Sequence, residues 1–378
     1  MLLVVLAIVA ALLYAALMFA YRKGWQAKDA TKVVKDFVPT TTISIIIPAR
    51  NEEECIGRCL NSILAQDYPK ELVEVVVIDD HSTDDTANVV SSFAHRNVRC
   101  LSLSDHLKTD DLIAYKKAAL TIGVNNTIGD LLITTDADCI ATPNWLRSIA
   151  HIYEKEKPVM IISPVDYISD DSVLQVFQSL DFMSMQGITV ASHELHMGNM
   201  CNGANLSFTR AAFIAVNGYE NIDHLASGDD YLLMMKMSKH FPSKIACLKS
   251  IQAIVKTEPQ YSWSGFIQQR IRWASKSGKY DDKRMTSILV FVYLFNVLFL
   301  ALLVASFFSH QYLWVLLALL LLKIEVDLIY LYPVARFFKK EKQLWLFPLL
   351  QPLHIFYIIV AGLLGFVGVY KWKGRTVK

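Results

Sequence analysis

Asp136-Ala137-Asp138 follows directly on the apolar run 131–135. In extended backbone, residues two apart project to the same side, and two carboxylates so placed can hold a hard divalent cation that also takes phosphate oxygens. An Asp-rich turn is the ordinary alternative for such a triplet. Asp79-Asp80-His81-Ser82 ends another apolar run, 73–78, and offers acceptors for a base amide or ribose hydroxyl, or caps for the next helix. Lys117, in Lys116-Lys117-Ala118-Ala119-Leu120, can meet a phosphate or stay a solvated helix charge. Gly228-Asp229-Asp230 precedes the apolar stretch 231–235 and puts carboxylates at a helix start. There they cap the helix or supply a general base beside an acceptor hydroxyl. Gln269-Arg270-Ile271-Arg272-Trp273 sets Gln269, Arg272 and Trp273 on one helical face. Arg272 can grip phosphate through two donors and Trp273 can stack on a sugar ring. The alternative is a basic amphipathic helix lying on a membrane.

These groups lie far apart in sequence, so the elements between them must bring them together. The β-branched run 43–47, ended by Pro48, reads as a buried strand. Asn51 is placed to cap a following helix, with Glu52, Glu53 and Glu54 in its first turn and Ile56, Leu60, Ile63 and Leu64 on its apolar face. The run 73–78 is a second strand, with a helix starting at Ser82 or Thr83. A strand near 98–103, a helix near 115–126, a strand at 131–135, a helix opened by Pro143-Asn144-Trp145 and a strand at 159–163 come next. Such alternation predicts an α/β fold with a mostly parallel, Rossmann-like sheet. Ligands of open α/β sheets bind outside the carboxyl ends of the strands, where Asp79, Asp80, Asp136 and Asp138 all fall.

The chain has 378 residues, with 37 Lys+Arg against 35 Asp+Glu, so no strong field favours nucleic acid. Hydrophobic residues make up 53% and are concentrated at the two ends of the sequence. Residues 2–20 carry no charge and are long enough to cross a hydrocarbon core of about 30 Å. A signal peptide would begin with a positive region and end at small residues; this segment ends at Tyr21-Arg22-Lys23 and reads as an uncleaved anchor. Arg22, Lys23, Lys28, Lys32 and Lys35 argue that the domain after the anchor is cytoplasmic. Residues 285–322 are uncharged, predicting helices near 286–308 and 311–332; in the second, Lys323 and Asp327 can pair across one turn or snorkel toward headgroups. Residues 343–370 are uncharged but contain Pro348 and Pro352. Three simple spans would put the basic tail (Lys371, Lys373, Arg375, Lys378) outside, against the positive-inside rule, so 343–352 is expected to be interfacial or re-entrant. The six cysteines are irregularly spaced and read as reduced thiols. The expected organisation is an anchor over 1–21, a basic linker over 22–41 and an α/β domain with a C-terminal interfacial helix over 42–285. A membrane region of two or three helices over 286–370 and a tail over 371–378 complete it.

Taken in order, these residues resemble the membrane-bound family 2 glycosyltransferases of the GT-A fold, over about 43–285. The carrying segments are Ser44-Ile45-Ile46-Ile47-Pro48-Ala49-Arg50-Asn51-Glu52-Glu53, Val77-Ile78-Asp79-Asp80-His81-Ser82-Thr83-Asp84, Asp136-Ala137-Asp138, 202–210, Gly228-Asp229-Asp230 and Gln269-Arg270-Ile271-Arg272-Trp273. The resemblance implies an inverting transferase that uses a nucleotide-activated sugar, usually UDP-linked, with Mg²⁺ or Mn²⁺. It implies that Pro48, Arg50, Glu52 and Asp80 line the nucleotide pocket; in such a mechanism, Lys117 is expected beside Arg272 as a further positive group toward the diphosphate. Asp136 would lie near ribose and diphosphate, and Asp138, with Asp136, would hold the metal. Asp230 would be the base, and Gln269, Arg272 and Trp273 would close over diphosphate and acceptor. Many relatives have Glu-Asp where this chain has Asp229-Asp230, which leaves the role on the second acid. The expected acceptor is a lipid or lipid-linked hydroxyl at the cytoplasmic face of a bacterial inner membrane, with a homo-oligomer or export partner as a further possibility. A processive synthase of a β-linked extracellular polysaccharide is the alternative, although three or four helices are few for a polymer path. A binding-only subunit would not need intact acids at every motif. A glycoside hydrolase would not need a metal pair.

Overall fold

The computed structural model describes residues 1–34, 36–106, 114–170, 172–225, 227–275, 282–367, 370–372 and 375–377, with side chains as far as 365. Lys35, Lys373 and Lys378 lie outside the described residues. In chain order the helices are α1 (Leu2–Ala27), α2 (Ile56–Leu64), α3 (Thr86–Ser91), α4 (Tyr115–Asn125), α5 (Trp145–Glu156), α6 (Val173–Glu194), α7 (Arg210–Ala215), α8 (Asp229–His240), α9 (Trp263–Ala274), α10 (Lys283–Ser306), α11 (His310–Phe338) and α12 (Phe347–Val367). The strands are β1 (Ile43–Ala49), β2 (Val73–Asp79), β3 (Val98–Ser102), β4 (Leu131–Thr134), β5 (Ile140–Ala141), β6 (Met160–Ile162), β7 (Val165–Tyr167), β8 (Leu206–Thr209), β9 (Ile245–Cys247), β10 (Val255–Thr257), and the pair β11 (Tyr370–Trp372) and β12 (Arg375–Val377). They form two compact units: a sheet unit, Asp29–Ile168 with Cys201–Glu258, and a helical unit, Met1–Lys28 with Ser169–Met200 and Pro259–Lys378. The α/β domain expected over 42–285 thus shares its 169–200 and 259–285 segments with the helical unit.

In the sheet unit the strand order is β3-β2-β1-β4-β8-β6-β9. The pairs β1–β2, β1–β4, β2–β3 and β6–β9 are parallel, and β8 runs antiparallel to both β4 and β6. β1 and β4 are buried on both faces, which is why they read as unbroken β-branched and aliphatic runs. α4 lies so close on β1 that a Cβ at Gly123 would stand 2.3 Å from Ile46 Cγ2. That close approach fixes where the first turn of α4 meets the strand ends. A smaller sheet, β5-β10-β7, sits beside it in the same unit.

Two expected helix starts move. α2 begins at Ile56, not at Asn51–Glu54, and α3 begins at Thr86. The reason is local: Asn51 has a φ of 51°, and the two loops after β1 and β2 bind each other instead of capping helices. The Asn51 N–H donates to Ser82 Oγ at 3.0 Å, the Glu52 N–H to Thr86 Oγ1 at 2.8 Å, and the Thr83 N–H to Asn51 Oδ1 at 2.8 Å.

In the helical unit, among the described residues, three helices are long and apolar enough to cross a membrane: Leu2–Ala27, Lys283–Ser306 and Phe347–Gly365. They fit a membrane association. Pro348 and Pro352, expected to interrupt the last segment, instead lie within the first two turns of α12, which runs on to Val367. For Pro348 the missing N–H falls among the first N–H groups of the helix, which have no intrahelical partner, whereas Pro352 lies inside the helix and leaves the Pro348 carbonyl without its usual donor. α11 carries Lys323, Glu325 and Asp327 along its length. Lys323 and Asp327 do pair, at 2.5 Å, and do so in the interior: Lys323 is only 1% exposed. Tyr14 of α1 donates to Asp327 Oδ1 at 2.7 Å, and Gln351 of α12 donates to Asp327 Oδ2 at 3.3 Å. One ion pair therefore ties three helices.

Removing one partner leaves a buried charge alone. Asp327→Leu should cost about 3–5 kcal/mol, and the double change Lys323→Met with Asp327→Leu should recover most of it. Unfolding of the detergent-solubilised chain measures both; an Asp327→Leu variant as stable as wild type would contradict the interior placement.

Candidate active site

The carboxyl-end rim of the sheet unit collects two groups of polar side chains. The first lies at the ends of β1 and β2. Pro48 stands in β1 opposite Ile78 of β2. Arg50 Nη1 donates to the Asp80 carbonyl at 2.8 Å and lies 3.8 Å from Asp80 Oδ1. Asp80 is 4% exposed, and its Oδ1 meets His81 Nδ1 at 3.0 Å. Glu52 is partly buried in the cross-linked loop beside them.

The second group lies past β4. Strand β4 stops at Thr134, and the Cys139 N–H closes a turn onto the Asp136 carbonyl at 3.1 Å. Asp136 and Asp138 are thus set by a turn and not by the extended strand expected from the sequence. Asp138 Oδ2 accepts from Thr257 Oγ1 of β10 at 3.0 Å. Lys116, in the first turn of α4, binds Asp136 Oδ1 at 2.7 Å and Asp229 Oδ2 at 3.5 Å. Burial works against its ammonium, but Asp136, Asp229 and Asp230 outweigh burial and raise its pKa. Gly228 caps α8 with a φ of 80°, a left-handed conformation that favours glycine, and turns Asp229 and Asp230 into the first helical turn. Carboxylates there are favoured by the helix dipole. Asp229 is buried, whereas Asp230 is only partly so, accepting from the Gly203 N–H at 3.2 Å and the Tyr231 N–H at 2.8 Å. The two groups meet at Tyr115, whose ring centroid is 6.0 Å from that of His81 and which precedes Lys116 in the chain.

Lys117 does not face this rim. It is 1% exposed and donates to the carbonyls of Ile222, Leu225 and Ser227 at 2.7, 2.5 and 3.1 Å. It ties down the loop before α8, and its neighbour Lys116 is the cation among the acids. Adjacent helical residues point about 100° apart, so the sequence offered both lysines and no means of choosing. The segment 202–210 supplies β8 and the turn before it. Asn205, fully buried, donates to the Pro164 and Ala253 carbonyls and accepts from Trp145 Nε1, each at 2.8 Å. Among the described residues no three His, Cys, Asp or Glu side chains converge as a metal cage. All six cysteines are free, and burial, with the nearby acids, pushes the Cys59 and Cys139 thiols up.

Gln269, Arg272 and Trp273 lie on α9 of the helical unit. Between them, Arg270 is 4% exposed. Its Nε donates to Asp181 Oδ2 of α6 at 2.8 Å and its Nη1 to Gln269 Oε1 at 2.7 Å. Tyr357 of α12 donates to Asp181 Oδ1, and His354 Nε2 lies 3.6 Å from the same oxygen. Burial alone would raise the Asp181 carboxyl; Arg270, His354 and the Tyr357 hydroxyl hold it down at about 2. No pattern in the sequence marks Asp181, which stands in an otherwise unremarked helix.

A mostly parallel sheet with acids along its carboxyl-end rim and an antiparallel strand inserted beside β4 is a GT-A-like fold. The solved mannosyltransferase PcManGT from Pyrobaculum calidifontis, in complex with GDP-Man and Mn²⁺, is similar in fold, with a TM-score of 0.58 over 97% of each chain at 17% identity. The profile of the Glycosyl transferase family group 2 matches residues 131–363, and that of Glycosyl transferase family 2 matches residues 44–213. The chain belongs to the family 2 glycosyltransferase group. Among its relatives, Glycosyltransferase AglE of Haloferax volcanii is 28% identical over 199 residues, 50% of this chain and 58% of that one. The dolichyl N-acetyl-alpha-D-glucosaminyl phosphate 3-beta-D-2,3-diacetamido-2,3-dideoxy-beta-D-glucuronosyltransferase of Methanococcus voltae is 32% identical over 116 residues, 30% of this chain and 35% of that one. The matches thus span 58% and 35% of these relatives' own lengths.

The geometry makes two outcomes measurable. Lys117→Met leaves three loop carbonyls without their donor and should cost about 1–3 kcal/mol, with faster amide exchange over 222–228; unchanged exchange there would contradict the tether. Asp181 has a depressed pKa, so its stabilisation is complete above the ordinary carboxylate value of 3.8 and is lost as pH falls toward about 2. Asp181→Asn should flatten the acid limb of the unfolding profile over that window.

Proposed function

We propose that this protein is an inverting glycosyltransferase that moves a sugar from a nucleotide-sugar donor, UDP-linked in our reading, to the hydroxyl of a lipid or lipid-linked acceptor at the cytoplasmic face of a membrane. The observation that carries the reading is the convergence of Asp136, Asp229 and Asp230 on Lys116 at the rim where sheets of this class bind ligands. Family membership, three membrane-length helices and a lipid-linked substrate in the name of the Methanococcus voltae relative support it. The cytoplasmic placement rests on the basic residues after α1.

The donor set at Asp136 and Asp138 fits a divalent cation. It is made of hard carboxylate oxygens, and two protein carboxylates with substrate phosphates completing the shell is a common way to bind Mg²⁺ or Mn²⁺. Such an ion, held by Asp138 and Asp136, supplies Lewis-acid neutralisation of the leaving diphosphate. Arg50, Glu52, Pro48 and Asp80 hold the nucleotide from the β1 and β2 ends. Asp230, the more exposed of the two α8 acids, takes the proton from the acceptor hydroxyl. The acceptor oxygen then bonds to the anomeric carbon as the bond to the diphosphate breaks, and the nucleoside diphosphate leaves with that electron pair. One displacement inverts the anomeric centre. Asp229 keeps Lys116 in place. Gln269, Arg272 and Trp273 contact diphosphate and acceptor, with Arg272 as the bidentate phosphate donor.

The reading is tested by incubating membranes containing the full chain with UDP-glucose, UDP-galactose, their N-acetyl forms and GDP-mannose, with lipid extract and Mn²⁺. Mass analysis should find one added sugar on a lipid; a ladder would favour a processive synthase, and no donor consumption would reject transferase activity. Chelation should abolish transfer and Mg²⁺ or Mn²⁺ restore it. Asp230→Asn should keep donor affinity and lose about 10²–10⁴ in turnover; wild-type turnover would remove Asp230 from the role.

A further inference from the structure

Arg270 occupies a position between the motif residues, and its side chain faces the interior and not a ligand. Its guanidinium is used in both of its capacities. Its Nε donates to Asp181 Oδ2 at 2.8 Å, with Nη2 2.7 Å from the same oxygen as an ion-pair contact, and its Nη1 donates to the Gln269 side chain at 2.7 Å. Through its plane it lies 4.3 Å from the Trp273 ring centroid and 4.6 Å from that of Phe266. A lysine ammonium can pair with a carboxylate or sit over one ring, but it has no planar fork to bind Asp181 and Gln269 in fixed directions while stacking on two rings. One buried side chain thus fixes the amide of Gln269 and the ring of Trp273, two of the three motif groups.

Asp181, which anchors it, is held in turn. The Tyr357 hydroxyl of α12 occupies its other oxygen. Around this contact, Phe177, Phe266, Ile271, Tyr357 and Ala361 form one buried apolar cluster. The end of α9 also sits tightly on α12: a Cβ at Gly365 would stand 2.7 Å from Ala274 Cβ. The order of the motif helix therefore depends on a membrane-length helix.

We propose that Arg270 and Asp181 are positioning residues that set Gln269 and Trp273 for the reaction, and that Tyr357 extends this hold into α12. The inference rests on the reading that Gln269 and Trp273 contact diphosphate and acceptor. Ordering those two side chains before substrate arrives removes an entropy cost from the transition state. A slight misplacement of either one is felt in turnover more than in donor binding.

The test uses the full chain in lipid nanodiscs with lipid extract and Mn²⁺, reading UDP release from UDP-glucose, UDP-galactose and their N-acetyl forms. Arg270→Lys keeps the charge but not the fork. The double change Arg270→Met with Asp181→Leu removes both charges and keeps apolar volume, a replacement that buried pairs often tolerate without loss of stability. Both should lower kcat by about 10–100-fold, with donor KM within about threefold and the melting temperature near that of wild type. Tyr357→Phe should lower kcat by less. Adding Gln269→Ala to Arg270→Lys should cost little further, because the two act as one unit. Independently of any donor, acrylamide quenching assigned to Trp273 by difference from Trp273→Phe should rise in Arg270→Lys. Wild-type kcat and quenching in Arg270→Lys and the double variant, with Gln269→Ala and Trp273→Ala impaired, would overturn the positioning role. So would a loss of kcat wholly explained by loss of folded protein. Wild-type turnover in Gln269→Ala and Trp273→Ala would instead overturn the reading beneath it.

Discussion

Three carboxylates on one rim of a sheet repel one another unless a cation stands among them or one of them keeps its proton. Two like charges about 4 Å apart repel by about 4 kcal/mol at an effective dielectric of 20, and Asp136, Asp229 and Asp230 all act on one point. Lys116 is that point. It comes from α4, Asp136 from the turn after β4, and the other two acids from α8, so three separate segments meet through one ammonium. The close seating of α4 on β1 at Gly123 makes the meeting possible, since it sets where the first turn of α4 reaches the strand ends. Even so, carboxylate charge stays in excess. That excess is what the proposed occupant, a diphosphate accompanied by a divalent cation, would meet with positive charge.

Much of the sheet unit was legible in the sequence because strands buried on both faces must be apolar throughout. The runs behind β1, β2 and β4 announce themselves for that reason, and acids just past each run fall on the carboxyl-end rim by topology alone. Local detail at the strand ends was less legible. Asn51 has the composition of a helix cap, yet the loops after β1 and β2 satisfy each other's N–H groups, and the helix starts later. Asp136 and Asp138 look like strand neighbours but lie in a turn closed by Cys139. Lys117 has the type and place of a phosphate ligand, yet its partners are carbonyls more than 100 residues further on. In each case the deciding partner lies in a distant segment that no local pattern names.

The helical unit posed the opposite difficulty. Apolar helices announce themselves by composition, but composition says nothing about which faces meet. Packing between such helices is dominated by van der Waals contact and tolerates sliding, because a shifted leucine finds another leucine. A buried charge does not tolerate it. The Lys323–Asp327 pair with Tyr14 and Gln351, and the Arg270–Asp181 pair with Tyr357, each specify one arrangement, since a slip would leave an ion in an apolar setting.

Both networks share a design: an ion pair, one tyrosine hydroxyl from another helix, and an acid that uses both of its oxygens. Such pairs add little net stability compared with well-packed apolar side chains, so their value lies in uniqueness. The need for uniqueness is greatest at α9. Its partly exposed face carries Gln269, Arg272 and Trp273, and a rotation of one residue would turn that face by about 100°. Arg270 prevents such a rotation from within the helix itself: to move, it would have to leave Asp181 and strip the guanidinium from Trp273 at the same time. The residue that the motif's spacing leaves unspecified is therefore the one whose geometry holds Gln269 and Trp273 in place.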